Sequence, residues 1–148
     1  MGLTTEQLLM LIRVVSEEEE DVVNLVGADL HDANLRGKFL HRVDLSQGNL
    51  ARANLSRADL ARSRPWDANL HGANLSEVRL WSADLPGANL HGANMHGADL
   101  RDTNLADADL DGADLHAANL TGAKITSEQL AAAKSLEGAT MPNGTIHP

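Results

Sequence analysis

An uninterrupted five-residue repeat occupies most of this sequence and restricts what the chain can fold into. From residue 23 to residue 127 the chain divides into twenty-one blocks of five without one insertion. The centre of each block falls at a multiple of five and is Leu everywhere except at Pro65, Met95 and Ile125. The residue two before the centre is usually Ala, and the residue just before it is usually Asn or Asp. Such a strict period predicts a repetitive, stacked architecture.

A period of five fits neither a plain helix nor a flat strand. Five residues advance about 500° around an α-helix, so successive leucines would drift and form no apolar stripe. On a flat strand an odd period would send every second Leu to the opposite face. Both conflicts disappear if the chain turns a corner in each block, because Ala and Leu then always point inward. Asn, Asp and Gly, which recur around the centres, are residues that turns favour. We therefore interpret the Asn and Asp residues as turn-stabilising rather than calcium-binding.

Blocks such as ADLHD, ANLRG, ANLHG and ADLDG match the motif A(D/N)LXX. Over about 105 of the 148 residues the chain resembles the pentapeptide-repeat family. The resemblance implies an all-β solenoid, a right-handed, four-sided parallel β-helix with four blocks per coil. Twenty-one blocks then make about five coils. Rungs about 4.8 Å apart would give a repeat region roughly 25 Å long.

Helices are expected to close both ends of the repeat, since open ends expose leucines and unpaired backbone groups. Thr4 to Gln7 form a capping box. The apolar face of the helix that follows would consist of Leu8, Leu11, Ile12 and Val15. A second helix start lies at Thr126, and Gly138 is the expected stop. The residues expected to lie on the last coil are Leu130, Ala133 and Leu136.

We predict an N-terminal helical cap (1–22), the repeat (23–127) and a C-terminal capping helix and tail (128–148) in one domain. The resemblance also suggests a homodimer through the C-terminal helix.

The composition and the absence of several known motifs argue against some classes of function. The formal net charge of −9 argues against a general nucleic-acid or anionic-membrane partner. The sequence has no Cys, which excludes disulfides and thiolate chemistry. Phosphate-binding Gly loops, nucleophile elbows and HExxH motifs are absent, and a filled tube has no pocket for catalysis. We therefore expect a soluble, cytoplasmic protein without enzymatic activity, cofactor or metal.

One side of the predicted solenoid stands out, because outward residues twenty apart should stack on the same side. The side centred on Leu40, Leu60, Leu80, Leu100 and Leu120 carries a formal charge of +2. This count includes Lys38, at a nominally inward position, and all three aromatic residues of the chain lie on this side or the next one. Trp and Arg are enriched in binding hot spots. The candidate protein-interaction surface consists of Phe39, Arg42, Arg62, Trp66, Arg79, Trp81 and Arg101. The alternative is that the aromatic rings merely cover corners of the solenoid.

Histidines form a second pattern on other sides. His71 and His91 should stack on one side, and His96 and His116 on the next. Imidazoles on neighbouring rungs offer ligands for zinc, nickel or copper. Exposed stacked residues are also the ordinary consequence of a repeat, and we favour this solvated ladder over a metal site.

Two functional readings follow. The first is a non-catalytic scaffold that presents a rigid rod to a protein partner of unknown identity. The second, which the resemblance also implies, is a DNA mimic that binds or protects DNA gyrase. Family members of that type are acidic rods with Phe at many block centres, whereas no centre in this chain is Phe.

Overall fold

Single-residue bridges between parallel segments build most of the structure outside two helices. The computed structural model describes residues 4–15 and 22–148 of the chain. Helix α1 spans Thr5–Val15 and helix α2 spans Ser127–Ala132. Neither helix in these ranges is long and apolar enough to cross a membrane.

Backbone hydrogen bonds fix the register of the chain between the helices. Bridges pair most of the residues before a centre with the one twenty positions on, as Asp29 with Asn49. The N–H of Leu30 donates to the carbonyl of Asn49 at 2.7 Å, and the N–H of Asn49 donates to the carbonyl of Ala28 at 2.9 Å. Within a block, the N–H of Ala33 donates to the carbonyl of Leu30 at 3.1 Å and closes the corner. Four blocks therefore return the chain to the same side, and we call each such turn a coil.

The interior holds nearly every block centre and, in most blocks, the small residue two before it. Leu35, Leu50 and Leu75 are 0% exposed, and so are Ala53 and Ala73. Removing a Leu side chain from water contributes about 1.5–3 kcal/mol. Large and small inward residues alternate, which fills a narrow tube without voids. The core predicted from the repeat is confirmed.

A left-handed residue stands two places after every centre from Leu25 to Leu120. Glycine fills some of these corners, for example Gly72 at φ +62°. Residues with a Cβ fill others, for example Gln47 at φ +57° and Ala117 at φ +56°. This conformation costs a residue with a Cβ roughly 1 kcal/mol or more. The corner geometry therefore explains why Gly recurs at this position in the sequence.

Where an Asn or Asp precedes a centre, its side chain usually closes a local turn. Oδ1 of Asn34 accepts the backbone N–H of Arg36 at 3.2 Å, and Oδ1 of Asn69 accepts that of His71 at 3.1 Å. Such side-chain to backbone bonds compete with regular secondary structure and favour turns. The predicted turn-stabilising role is confirmed.

Helix α1 begins with the predicted capping box. The N–H of Thr4 donates to Oε1 of Gln7 at 2.9 Å, and the N–H of Gln7 donates to Oγ1 of Thr4 at 3.2 Å. Leu8 is buried in the same core cluster as Leu25, and Leu9 packs against that cluster. The helix therefore contacts the first coil. The structure describes only the backbone of residues 11–15, so the other predicted apolar side chains, those of Leu11, Ile12 and Val15, lie outside what it describes.

Helix α2 is shorter than the sequence predicts. Its capping box is present, since the N–H of Gln129 donates to Oγ1 of Thr126 at 3.2 Å and Oε1 of Gln129 accepts the N–H of Thr126 at 2.9 Å. The helix ends at Ala132, so the predicted stop at Gly138 is wrong. Packing against the core cluster is nevertheless observed for Leu130, Ala133 and Leu136.

Two further five-residue blocks follow α2, and they continue the coiling of the repeat. They are KSLEG (134–138) and ATMPN (139–143). Ser135 bridges to Asp114, a separation of 21 residues, because the helical segment holds one residue more than a block. The N–H of Lys134 donates to the carbonyl of Ala113 at 2.8 Å. Bonds to the preceding coil thus replace further helical turns. Ala139, at the next inward position, is 0% exposed.

Gln129 and a terminal hairpin meet the open backbone of the last coil. Nε2 of Gln129 donates to the carbonyls of Leu105 at 2.6 Å and Ala108 at 2.9 Å. A backbone N–H of the next coil would bond the Ala108 carbonyl if the repeat continued. Further on, the N–H of His147 donates to the carbonyl of Ala139 at 2.8 Å in an antiparallel pair.

A candidate protein-interaction surface

The Arg–Trp side consists of the outward residues of the blocks centred on Leu40, Leu60, Leu80, Leu100 and Leu120. These blocks share the inward Leu and the left-handed corner with the other sides. The scaffold therefore holds the outward side chains in three columns along the rod. One column precedes the centres, and the other two follow them by one and two residues.

Three rings form a cluster on this side. The ring of Phe39 stacks on His41, with centroids 5.7 Å apart and planes 17° apart. The ring of Trp81 lies 6.1 Å from that of His41 with a tilt of 55°. Trp81 stands two rungs from His41, so the two rings lie on either side of Ala61. Ala61 is 0% exposed although its position is outward, because its small side chain lets the neighbouring rings close over it.

Arg62 adds a cation to the ring cluster. Its guanidinium carbon lies 4.9 Å from the centroid of the Trp81 ring. A cation over an aromatic face at an exposed site contributes about 0.5–1 kcal/mol. Trp81 is half-buried by these contacts, whereas Phe39 remains 52% exposed. The cluster therefore presents a flat, partly apolar surface with a positive edge.

Arg79 is more available to a partner than Arg101, the next arginine along the Arg–Trp side. Nη1 of Arg79 lies 3.8 Å from Oδ2 of Asp59, and the Arg79 side chain is 68% exposed. Asp59 is shared, since its Oδ1 lies 3.9 Å from Nδ1 of His41. Exposed ion pairs at such distances contribute little stability. Arg79 can therefore turn to an external carboxylate at little cost.

Arg101 already forms an ion pair within its own rung. Its Nε and Nη2 donate to the two carboxylate oxygens of Asp99, both at 2.7 Å. Hydrogen bonding by Arg101 lowers the pKa of Asp99 below its ordinary value, and the same bond raises the pKa of Arg101. Arg101 therefore presents a neutral pair rather than an isolated charge.

Arg42 and Trp66 complete the predicted set but lie outside the ring cluster. Arg42 is exposed at a left-handed corner with φ +62°. Trp66 is 47% exposed on the neighbouring side. In the part of the chain that the structure describes, no ring contact joins Trp66 to the cluster around Trp81. Trp66 therefore forms a separate apolar point.

A depression of about 480 Å³ lies at the corner beside Phe39. We call it the corner groove. Its lining residues are Gly37, Lys38, Phe39, Arg57, Asp59, Glu77 and Arg79. Lys38 occupies a position that is inward in most blocks, yet it is exposed. A charged side chain cannot be buried in a tube of Ala and Leu without a partner, so it leaves the core.

The histidines stack as predicted on the other sides. The rings of His71 and His91 are 5.3 Å apart, and those of His96 and His116 are 4.9 Å apart with planes within 8°. Within residues 4–15 and 22–148, no group of three or more His, Cys, Asp or Glu residues is arranged to hold a metal ion. The geometry is that of an exposed ladder.

Sequence reasoning missed two parts of the site. His41 is the central ring of the cluster, and its column also contains Trp81, which was the available signal. The second part is the pair Arg57 and Glu77, in which Nε of Arg57 donates to Oε2 of Glu77 at 3.0 Å. These two residues are twenty apart, so the column rule that located the arginines also predicts their contact.

The model of the family "Pentapeptide repeats" matches eight copies in residues 24–62, 67–102 and 98–127. The chain belongs to this family. The match pauses at residues 63–66, which contain Pro65 and Trp66. This interval therefore interrupts the family match within the repeat.

Solved structures of pentapeptide repeat proteins resemble this chain. Rfr23 from the cyanobacterium Cyanothece 51142 is 37% identical with a TM-score of 0.60, over 62% of each chain. HetL from Nostoc sp. strain PCC 7120, a protein involved in heterocyst differentiation regulation, is 34% identical with a TM-score of 0.35, over 84% of this chain and 62% of HetL. The chain thus spans 62% of the length of both relatives.

A trypsin-treated form of QnrB1, a plasmid-mediated fluoroquinolone resistance protein, is 17% identical with a TM-score of 0.44, over 83% of this chain and 92% of QnrB1. The TM-scores of HetL and QnrB1 are too low to support an argument about function. No curated protein matches the chain.

Proposed function

We propose that this chain is a non-catalytic interaction module, a rigid rod that presents its Arg–Trp side to a protein partner. The right-handed, four-sided β-helix of about five coils that the family resemblance implies supplies the rod, with α1 and α2 as its caps. The observation that carries the proposal is the ring cluster of Phe39, His41 and Trp81 with Arg62 over it. Clusters of aromatic and Arg side chains are typical of interface hot spots.

Rigidity supports the proposal. The blocks that carry the cluster are tied to neighbouring coils by backbone bonds, such as the N–H of Arg62 to the carbonyl of Trp81 at 3.1 Å. The side chains are held by their mutual ring contacts before any partner arrives. Binding by a pre-organised surface loses little conformational entropy. The same surface therefore needs fewer contacts for a given affinity.

The filled interior supports a non-catalytic role. Mostly Leu and Ala occupy the inside of the described coils, and most polar side chains stand on the outside, with Ser63 and Thr103 as buried exceptions. Catalysis usually requires reactive groups in a concave, partly desolvated pocket. The corner groove is lined by ion pairs rather than by a base next to a nucleophile. We therefore assign it to binding.

The charges support the scaffold over the alternative of a gyrase-binding DNA mimic. The twenty-one blocks carry a formal charge of only −3 of the total −9. A duplex mimic needs a continuous acidic surface, whereas the Arg–Trp side is basic. We expect the purified chain to leave DNA supercoiling by gyrase unchanged at micromolar concentrations. Inhibition or protection of gyrase at such concentrations would favour the mimic.

Affinity capture from a lysate of the source organism tests the proposal, with three immobilised proteins compared side by side. These are the wild type, the double variant Arg79→Ala/Trp81→Ala, and the control Arg52→Ala/His71→Ala. The control removes an Arg and a ring two sides away around the coil. We expect the wild type and the control to recover the same protein and the first variant to lose it. Equal recovery by all three would show that the Arg–Trp side is not the interface.

A further inference from the structure

We infer that the corner groove binds an acidic segment of the protein partner, with a carboxylate held between Lys38 and Arg79. This inference rests on the proposed function and names the chemistry of the partner. It differs from recognition by the face of the Arg–Trp side, because the groove joins that side to the preceding one.

The shape of the groove suits a short extended segment. Its residues come from three successive rungs, at positions 37–39, 57–59 and 77–79. The outer two rungs are about 10 Å apart, the length of about three extended residues. Gly37 opens the first rung, because a Cβ there would meet nothing within 4 Å. A peptide that runs along the rod axis can therefore lie across all three rungs.

The cations of the groove outnumber its anions. In the described chain, the ammonium of Lys38 has no hydrogen-bond or ion-pair partner. Arg79 has only the 3.8 Å contact to Asp59. Arg57 is held by Glu77 at 3.0 and 3.4 Å. Three cations face two carboxylates, so the groove has one positive charge to spare and lacks one carboxylate.

One side of the corner groove is apolar, because the ring of Phe39 lines it. Phe39 is 52% exposed and is fixed from the other side by the ring of His41. An apolar side chain next to the bound carboxylate can pack on this ring while the carboxylate meets the guanidinium of Arg79. A forked guanidinium matches the planar carboxylate. The groove therefore favours an acidic residue next to an apolar one.

A polyanion fits the groove less well than an acidic peptide. Asp59 and Glu77 lie within it and would repel a phosphate backbone. The net charge of −9 would also slow the approach of nucleic acid. A peptide with a single, well-placed carboxylate avoids both penalties.

Amide chemical shifts of the isotope-labelled full chain test the inference. The probes are a blocked peptide with the sequence leucine-glutamate-glutamate-leucine, its glutamine counterpart, and inorganic phosphate. We expect saturable shifts at 37–39, 57–59 and 77–79 with the glutamate peptide, at least tenfold weaker binding of the glutamine peptide, and weaker binding of phosphate. Phosphate or glutamine-peptide binding as tight as that of the glutamate peptide would overturn the inference.

Two substitutions of exposed residues, together with one control, show where the peptide binds. Lys38→Gln and Arg79→Gln should each weaken binding of the glutamate peptide at least about fivefold, whereas Arg52→Gln should not change it. Circular dichroism checks that each variant is folded. If the peptide fails to bind while Arg79→Ala/Trp81→Ala still loses the captured partner, the groove inference is wrong and the proposed function stands. If the peptide binds but all capture variants keep the partner, the proposed function is wrong and the groove does not serve that partner.

Discussion

The Arg–Trp side and the side two faces away around the coil share one scaffold but pair their outward residues differently. The second, which we call the ladder side, has block centres at positions 30, 50, 70, 90 and 110. Apart from the contact between His31 and Asp29 within one rung, its side-chain contacts run along the rod between equivalent positions. Nδ2 of Asn49 donates to Oδ1 of Asp29 at 3.0 Å, and the rings of His71 and His91 stack 5.3 Å apart.

Most contacts of the Arg–Trp side cross between columns instead. Phe39 and His41 stack within one rung, and Arg62 reaches Trp81 in a different column. In a regular repeat, similar residues recur every twenty positions, so a side chain contacts the equivalent side chain on the next rung. Departures from the repeat break the ladders and create a continuous surface of mixed chemistry. The difference shows that the same core supports two kinds of outer surface, and under the proposed function a few outward substitutions decide what the rod binds.

Breaking the shared core should have the largest effect. Leu75→Asp places a charge at a position that is 0% exposed, at a cost of several kcal/mol. We expect this variant to be unfolded by circular dichroism. Asn74→Asp, one residue earlier and partly exposed, should change the free energy of unfolding by no more than about 0.5 kcal/mol. Two equally folded variants would mean that the inward register is wrong.

Removing the C-terminal end of the rod should have the second-largest effect. Deletion of residues 126–148 takes away α2 and the amide of Gln129, which bonds Leu105 and Ala108. The exposed coil end should cause self-association, because it is an unpaired edge. Light scattering and size-exclusion chromatography measure this. A truncated chain as soluble and stable as the full one contradicts a capping role. If the full chain is a dimer and the truncated one a monomer, the same end holds the dimer contact.

The left-handed corners, which follow the blocks of every side, should respond to substitution by about 1 kcal/mol. Ala117→Gly should stabilise the protein by up to about 1 kcal/mol, because Ala117 has φ +56°. Ala118→Gly should destabilise it by about 1 kcal/mol or more, since that methyl group is 0% exposed. Thermal denaturation of the two variants gives both signs. The same sign for both would contradict the corner geometry.

The smallest effect concerns the pair of Arg101 and Asp99 on the Arg–Trp side. Arg101 lowers the pKa of Asp99, so the pair stabilises the fold above the ordinary carboxylate pKa. That stabilisation is lost as pH falls through the lowered pKa of the folded state. Arg101→Gln should raise the pKa of Asp99 towards 3.8, its ordinary value. Carboxyl-carbon NMR titration measures it, and an unchanged pKa would exclude Arg101 as the cause.

Much of the fold could be predicted from the sequence, because one pattern repeats in every block. The inward Leu and Ala, the corner Gly and the capping box at Thr126 all follow from local chemistry. The end of α2 did not, because Leu136 fits a helix face as well as a block centre. Backbone bonds to the preceding coil decide between the two, and they appear only once the coil exists.

The candidate site was predicted less completely. Column spacing located Arg79 and Trp81, but it could not show which charges are already paired. Arg101 is bound by Asp99, and Trp66 lies apart from the other rings. Lys38 was assigned inward by position, although its charge excludes it from the core. Side-chain direction at these positions depends on neighbours from three rungs, which a five-residue pattern does not contain.

Conversion of the Arg–Trp side into a ladder tests the central claim most directly. The variant Phe39→Asn/Arg79→Asn/Trp81→His gives this side the residue types of the ladder side without touching the core. Isothermal titration calorimetry with the partner recovered by the wild type measures the result, and circular dichroism follows the fold. The account predicts a rod that stays folded and binds at least about 30-fold more weakly, equivalent to about 2 kcal/mol. A folded variant that binds with unchanged affinity would contradict it.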